Sequence, residues 1–327
     1  MSKIVVYKDG VRVGILQNCT SIQWGEKYQA AGEVLIIAAP TPENKHLLTV
    51  GTRLYNTDSD TSAVIVEAVA EADEDRTLTV RADIAVSALA ERVVMGSRQI
   101  SNVERDMYGL VRENLRGLPI ALAEPIGFAE TAETEVAWEP VLDALETLAA
   151  VSGLGFKVCF DPVTAAETFA VYRGTDRSRR NEDYVGSFST ALGNIDTLTL
   201  RESVIDYKNV AMVVGEDEIV VEVALDDVPA QSRREMVVEV SNVRQERLLH
   251  SRGLEALAEQ LKTFEVACEV KQNNMRFGRD YYLGDRLPVA LEDHGIAMSA
   301  RVASVRHVYE TEGNRTIVTL DEFERSV

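Results

Sequence analysis

The sequence predicts a strand-rich α+β fold, and three observations predict it. Short apolar runs separated by turn residues fill the first hundred residues and return in the last third. An Asp9-Gly10 pair stands between two such runs at the start. Apolar spacing lengthens into helices mainly in the middle, and the helices are too few to wrap a parallel, doubly wound sheet.

The first hundred residues divide into strands at 3–7, 11–16, 20–24, 32–38, 53–56, 63–70 and 76–82. The first two flank Lys8-Asp9-Gly10, a strong hairpin signal because glycine takes positive φ without steric cost. A polar stretch at 71–75 separates the last two. Short strands with turns every eight to twelve residues describe a sandwich or small barrel. Residues 84–93 read as a short helix.

The middle changes period. Residues 105–116 place Leu110, Val111 and Leu115 on a helical stripe, and 139–152 align Val141, Leu142, Leu145, Leu148 and Ala149. Pro140 suits the opening of that second helix and Gly153 its close. Strands at 155–160 and 168–173 then pair across Asp161-Pro162, which makes a compact α+β unit.

The last third returns to strands at 195–201, 209–214, 219–225, 235–240, 264–271, 286–291, 297–305 and 316–320. One helix, 245–263, interrupts them, with Leu248, Leu249, Leu257 and Leu261 partly in register. The turn at 292–295 and the loop at 312–314 punctuate the end. No repeat and no low-complexity tract is visible.

A chain of 327 residues suits two or three domains and can bury a large core without metals or disulfides. Asp and Glu number 53 against 34 Lys and Arg, a net charge of −19. That balance opposes tight binding to nucleic acid or to an anionic membrane surface, because both recruit cations. Three widely spaced cysteines, Cys19, Cys159 and Cys268, form no CxxC pair, so neither a zinc site nor a disulfide framework is expected. The N-terminus lacks the layout of a signal peptide, and no apolar run spans a bilayer. The Asn18 and Asn314 triplets are therefore chance glycosylation matches.

Chemistry finds little support. His46, His250, His294 and His307 form no HxH, HxxxH or HExxH pattern. Gly153-Leu154-Gly155 follows a helix, the reverse of a phosphate loop, and reads as a cap and turn. Asp58-Ser59-Asp60 and Asp73-Glu74-Asp75 cluster hard oxygens without a complete calcium loop, and read as polar turns. No GxSxG is present. Carboxylate pairs are too frequent in so acidic a chain to mark acid–base catalysis. Arg177, Arg179 and Arg180 make one small basic spot, read as a solvated loop. Aromatics are 6% of residues, with only Trp24 and Trp138 as tryptophans, which disfavours a carbohydrate platform. No catalytic residue, cofactor or metal ligand is expected.

Several spaced segments carry a resemblance. The run from Ile4 through Asp9-Gly10, and Trp24, Tyr28 and Gly32 within SIQWGEKYQAAGEVLI, come first. YRGTDRS, with Asp176 and Arg177, is followed by FSTALGNI, with Asn194. RREMVVEVS, with Arg234, precedes GRDYYLGDRLPV, with Asp280, Gly284 and Asp285, and RVASVRHVYETEGNRTIVTL closes the series. Together, in this order, they resemble the siphophage tail-tip (tail-associated) proteins, a family related to the baseplate hub of contractile tails. Val34 stands where the family pattern shows an aromatic. Pro288 suggests an edge or bulge in its strand.

The resemblance implies a hub-like fold: two β-barrel-like domains, 1–100 and 191–327, framing an α+β insert at 101–190. It implies a structural, non-catalytic role in a virion tail, in a chain made in the bacterial cytoplasm. It also implies a homotrimeric ring that joins tail tube to tip and passes DNA, with the distal tail and tape-measure proteins as neighbours. No fused cell-wall hydrolase is expected after the last segment. The matching residues would then be structural: Trp24 and Tyr28 packing the first barrel, Gly32, Gly278 and Gly284 serving turns, Asp280 and Asp285 capping them. Acidic channel walls would repel phosphates. The competing readings are a cell-wall glycosidase or peptidase, needing a carboxylate cleft or metal triad, and a carbohydrate-binding module, needing exposed aromatics in a groove.

Overall fold

The computed structural model describes residues 4–71, 77–177, 186–225, 228–241, 243–258, 260–271 and 275–325. The chain opens with the hairpin β1 (Ile4–Lys8) and β2 (Val11–Ile15). Asp9 at φ 49° and Gly10 at φ 75° make its turn, the positive-φ pair that matches strand twist. β3 (Cys19–Lys27) and β4 (Glu33–Ala38) follow, turning Ile22, Trp24, Val34 and Ile36 inward at period two.

Helix α1 (Pro42–Leu47) is absent from the sequence reading. Six residues carry too little periodicity to register. Its ends carry the signal instead: Thr41 Oγ1 accepts the Asn44 N–H, and Pro42 occupies the first turn. β5 (Arg53–Asn56), β6 (Thr61–Ala70) and β7 (Leu78–Ile84) continue the sheet, and the expected short helix is a 3-10 turn at Ala85–Glu91.

β8 (Ser97–Gln99) leads to α2 (Val103–Asn114), capped by Asn102 Oδ1 accepting the Arg105 N–H. β9 (Ile120–Leu122) and β10 (Glu135–Ala137) precede α3 (Val141–Ser152). Pro140 is the N-cap of α3, one position before the expected first turn, and Gly153 closes it at φ 72°. β11 (Gly155–Phe160) and β12 (Glu167–Tyr172) pair antiparallel, with β9 parallel to β12.

After β13 (Phe188–Ser189) come β14 (Ile195–Ser203), β15 (Val210–Val214), β16 (Val220–Ala224) and β17 (Glu235–Glu239). Then α4 (Glu246–Ala258), β18 (Thr263–Val270), β19 (Arg286–Leu291), β20 (Ile296–Glu310) and β21 (Gly313–Arg325) complete the chain. Helix α4 is shorter than the sequence stripe, and the last two strands are longer. Pro288 keeps register with Ser299 of β20. Across its other edge β19 pairs through Val289 and Ala290 with β13, and through Arg286 with Asp176.

Two compact units result, Met1–Leu198 with Ala267–Val327, and Thr199–Val266. In the first, β21, β20, β3, β4, β7, β6, β5, β1 and β2 lie side by side in that order. Strand β3 pairs with β20 from Ser21↔Glu310 to Lys27↔Ser304, so segments nearly three hundred residues apart share one sheet. No pairing among the described residues closes this path into a barrel. One core runs through this unit, joining Trp24, Ile36 and Val80 of the strands to Leu110, Leu145 and Leu148 of the helices. In the second unit β15 lies between β16 and β17. Ala211, Val213, Val223, Leu249 and Leu257 form its core, with α4 on one sheet face. Gly253 permits that contact, since a Cβ there would press on Val213 and Val223.

Candidate functional site

Four segments far apart in sequence converge on the ring of Tyr28, at the end of β3. Its hydroxyl donates to the Gly153 carbonyl at 3.0 Å and accepts from the Gly174 N–H at 3.2 Å. Glycines make the approach possible. A Cβ on Gly155 or on Gly284 would overlap the Tyr28 ring, and one on Gly174 would strike the Gly284 carbonyl. Gly284 also sits at φ 84°, a conformation other residues avoid. Arg301 lies over the ring at 5.2 Å, and Tyr172 packs edge to face with it at 5.3 Å. Burial pushes the pKa of the Tyr28 phenol above its ordinary value, which makes it a weaker acid.

Asp285 locks the convergence. It is 2% exposed. Its Oδ1 accepts the Thr175 N–H at 2.7 Å, and its Oδ2 accepts from Arg177 Nε at 2.8 Å and the Tyr282 N–H at 3.0 Å. The Arg286 N–H donates to Thr175, and the Arg177 N–H to the Arg286 carbonyl. Asp176 forms an isolated parallel bridge with Arg286. The structure thus brings together Tyr28, Asp176, Arg177, Gly284 and Asp285. It is a clasp that holds residues 172–177 against the loop before β19. Its groups are paired with one another, so it fixes the geometry of these loops.

The other motif residues lie apart. Trp24 is fully buried and donates from Nε1 to Thr61 Oγ1 at 2.9 Å. Gly32 carries no positive φ; a Cβ there would strike the Gly25 carbonyl, so close backbone approach selects it. Asn194 Oδ1 accepts the Ser189 N–H and its Nδ2 donates to the Ser187 carbonyl. Asp280 Oδ2 accepts the Arg276 N–H in the turn that Gly278 enters at φ 79°. Arg234 belongs to the second unit, where it donates to the Val204 carbonyl.

Sequence reasoning missed Gly155 and Gly174 as clasp residues, although both stand in segments it singled out. It also missed Glu104. This carboxylate, 2% exposed on α2, accepts the N–H groups of Ile126, Gly127 and Phe128 at 2.7, 2.8 and 2.6 Å.

Among the described residues, no group of three or more His, Cys, Asp or Glu is placed to hold a metal ion. Asp60 accepts from the Tyr55 hydroxyl, and Asp58 from that of Tyr309. Burial pushes the Cys19 thiol up to about 11 and the Cys268 thiol up to about 12, so both stay protonated near neutrality. Asp73-Glu74-Asp75, Arg179 and Arg180 lie outside the described residues.

One surface stands out at the end of the large sheet. β2 is its terminal strand, and Val11, Val13 and Ile15 are 63%, 42% and 38% exposed. Gly14 turns inward against Leu47 of α1. Ile15 also borders a cleft of ≈ 440 Å³ walled by Ile22, Tyr309, Glu310 and Asn314. An apolar, unpaired strand edge is a template for pairing with another chain.

The family model described as Siphovirus ReqiPepy6 Gp37-like protein matches residues 5–320. The 43 kDa tail protein of prophage MuSo2 from Shewanella oneidensis has a similar fold: TM-score 0.62, 14% identity, 97% of each chain covered. A tail protein from Neisseria meningitidis MC58 superposes with TM-score 0.63 at 14% identity, over 98% of this chain and 96% of that one. A Francisella PdpA-VgrG complex, half-lidded, matches with TM-score 0.52 at 7% identity, over 99% of this chain but 59% of the other. A comparison with the curated proteins finds no match.

Proposed function

Since the chain belongs to the Siphovirus ReqiPepy6 Gp37-like protein family and has the fold of prophage tail proteins, we propose that it is the structural hub of a phage or prophage tail tip. The family match over residues 5–320 carries this reading. On it, copies of the chain form a ring, a homotrimer, that joins tail tube to tip and surrounds the passage for DNA. The distal tail and tape-measure proteins are its neighbours. Two barrel-like regions, 1–100 and 191–327, frame the insert 101–190, and in the ring neighbouring copies complete the open sheet to which both regions contribute. Clasp residues then act as rivets: they hold the loops that shape each subunit and do not touch a substrate.

The exposed apolar edge of β2 supports self-assembly and points to a second copy as its occupant. A lysine at Val13 places a charge on that edge and blocks close pairing. Mass measurement of the full chain in solution tests this. The expected result is an oligomer that Val13→Lys weakens roughly tenfold or more while the monomer stays folded. A wild-type chain that remains monomeric at high concentration, both alone and with the distal tail protein, would remove the ring. A peptidoglycan-degradation assay is expected to read blank. Release of sugar or peptide fragments would install the lytic alternative instead.

A further inference from the structure

Glu26 is a carboxyl inside the first unit that the clasp does not use. It points inward from β3, 7% exposed, with Trp24 two residues before it and Tyr28 two after. The Asp58–Thr61 turn between β5 and β6 covers it, contributing the hydroxyls of Ser59 and Thr61, which hydrogen-bond each other at 2.8 Å. Its Oε1 has no hydrogen-bond partner among the described residues. A buried, half-satisfied carboxyl is held in place by its neutral form, because ionisation would strand a charge.

Outside that turn lies a cavity of ≈ 430 Å³, walled by Ser59, Asp60, Thr61, Lys157 and Phe160. Lys157 on β11 is the cation that acts on Glu26, yet its ammonium rests over the Tyr172 ring at 4.9 Å. Tyr172 on β12 and Tyr309 on β20 face the same carboxyl, and both feel its charge. Asp58 and Asp60, in the covering turn, are held by Tyr309 and Tyr55.

We propose that Glu26 and Lys157 form a protonation-dependent latch between the large sheet and the β11–β12 layer. With the carboxyl protonated, the turn closes over it and Lys157 stays on Tyr172. When the carboxyl loses its proton to solvent, Lys157 leaves the ring for the cavity, pairs with Glu26, and the turn lifts. Burial is the main influence on this carboxyl and pushes it up to about 7, so the latch works near neutrality.

Trp24 reports on it directly, since its indole donates to Thr61 Oγ1. The other tryptophan, Trp138, is 68% exposed and can be replaced. The experiment is tryptophan emission of the full-length Trp138→Phe chain, titrated from acid to mildly alkaline pH. A single inflection near 7 is expected. Glu26→Gln should abolish it, with circular dichroism confirming the fold, whereas an inflection due to His307 or another histidine would survive that change. Lys157→Met, at an exposed position, should raise the midpoint by roughly half a unit, because the helping cation is gone. No inflection, one that persists in Glu26→Gln, or a midpoint indifferent to Lys157→Met would overturn the latch.

Discussion

Gly284 shows how much of this protein rests on single positions. Its φ of 84° and the Tyr28 ring packed against it exclude any side chain. Gly284→Ala therefore combines backbone strain with overpacking, and a loss of about 3–5 kcal/mol is expected by urea denaturation. Tyr28→Phe removes only the hydroxyl, which donates to Gly153 and accepts from Gly174. About 1–2 kcal/mol should go, with the fold kept. Equal effects of the two changes would contradict the clasp. Glu26 adds a pH dependence of definite sign. Its ordinary value is 4.5 and its folded value about 7, so the unfolded chain releases the proton first. Stability is full below 4.5, falls as pH rises through that window, and levels off above it.

At the scale of elements, the hairpin β1–β2, the strand β5 and the helix α3 are legible in sequence because each is a local decision. Asp9-Gly10 needs only its own φ values, and the α3 stripe only its own period. Helix α1 escapes because one and a half turns cannot establish a stripe. The extensions of β3, β20 and β21 escape because each is set by the length of its partner. Glu104 belongs to neither class: a charged residue in the first turn of α2 looks like a favourable dipole partner and nothing more. Its actual work is to hold three N–H groups of the loop at 126–128. Glu104→Ala strips those three donors of the acceptor they share and should destabilise the chain by about 1–3 kcal/mol, read as a lowered thermal midpoint. Amide exchange of Gly127 and Phe128 should quicken in step. A change within about 0.5 kcal/mol would show that the loop is held by other contacts.

Across the whole chain the net charge of −19 bears on assembly and on cargo alike. Like-charged copies repel, so association should strengthen as salt rises from low to about 0.5 M, the reverse of a charge-paired interface. The same charge should leave the chain unretained on duplex DNA at physiological salt in a filter or mobility assay. Retention there would count against an acidic wall around passing DNA. Composition, the period of the apolar runs and the turn residues by themselves determined the acidic balance, the strand-rich α+β class and most elements. These depend on neighbours in sequence. Only the tertiary structure decided that β3 pairs with β20, that Gly155, Gly174 and Gly284 surround one tyrosine, that Glu26 is enclosed and that β2 is left at an edge. Those outcomes depend on which distant segments meet, and a one-dimensional pattern carries no record of the meeting until the backbone has folded.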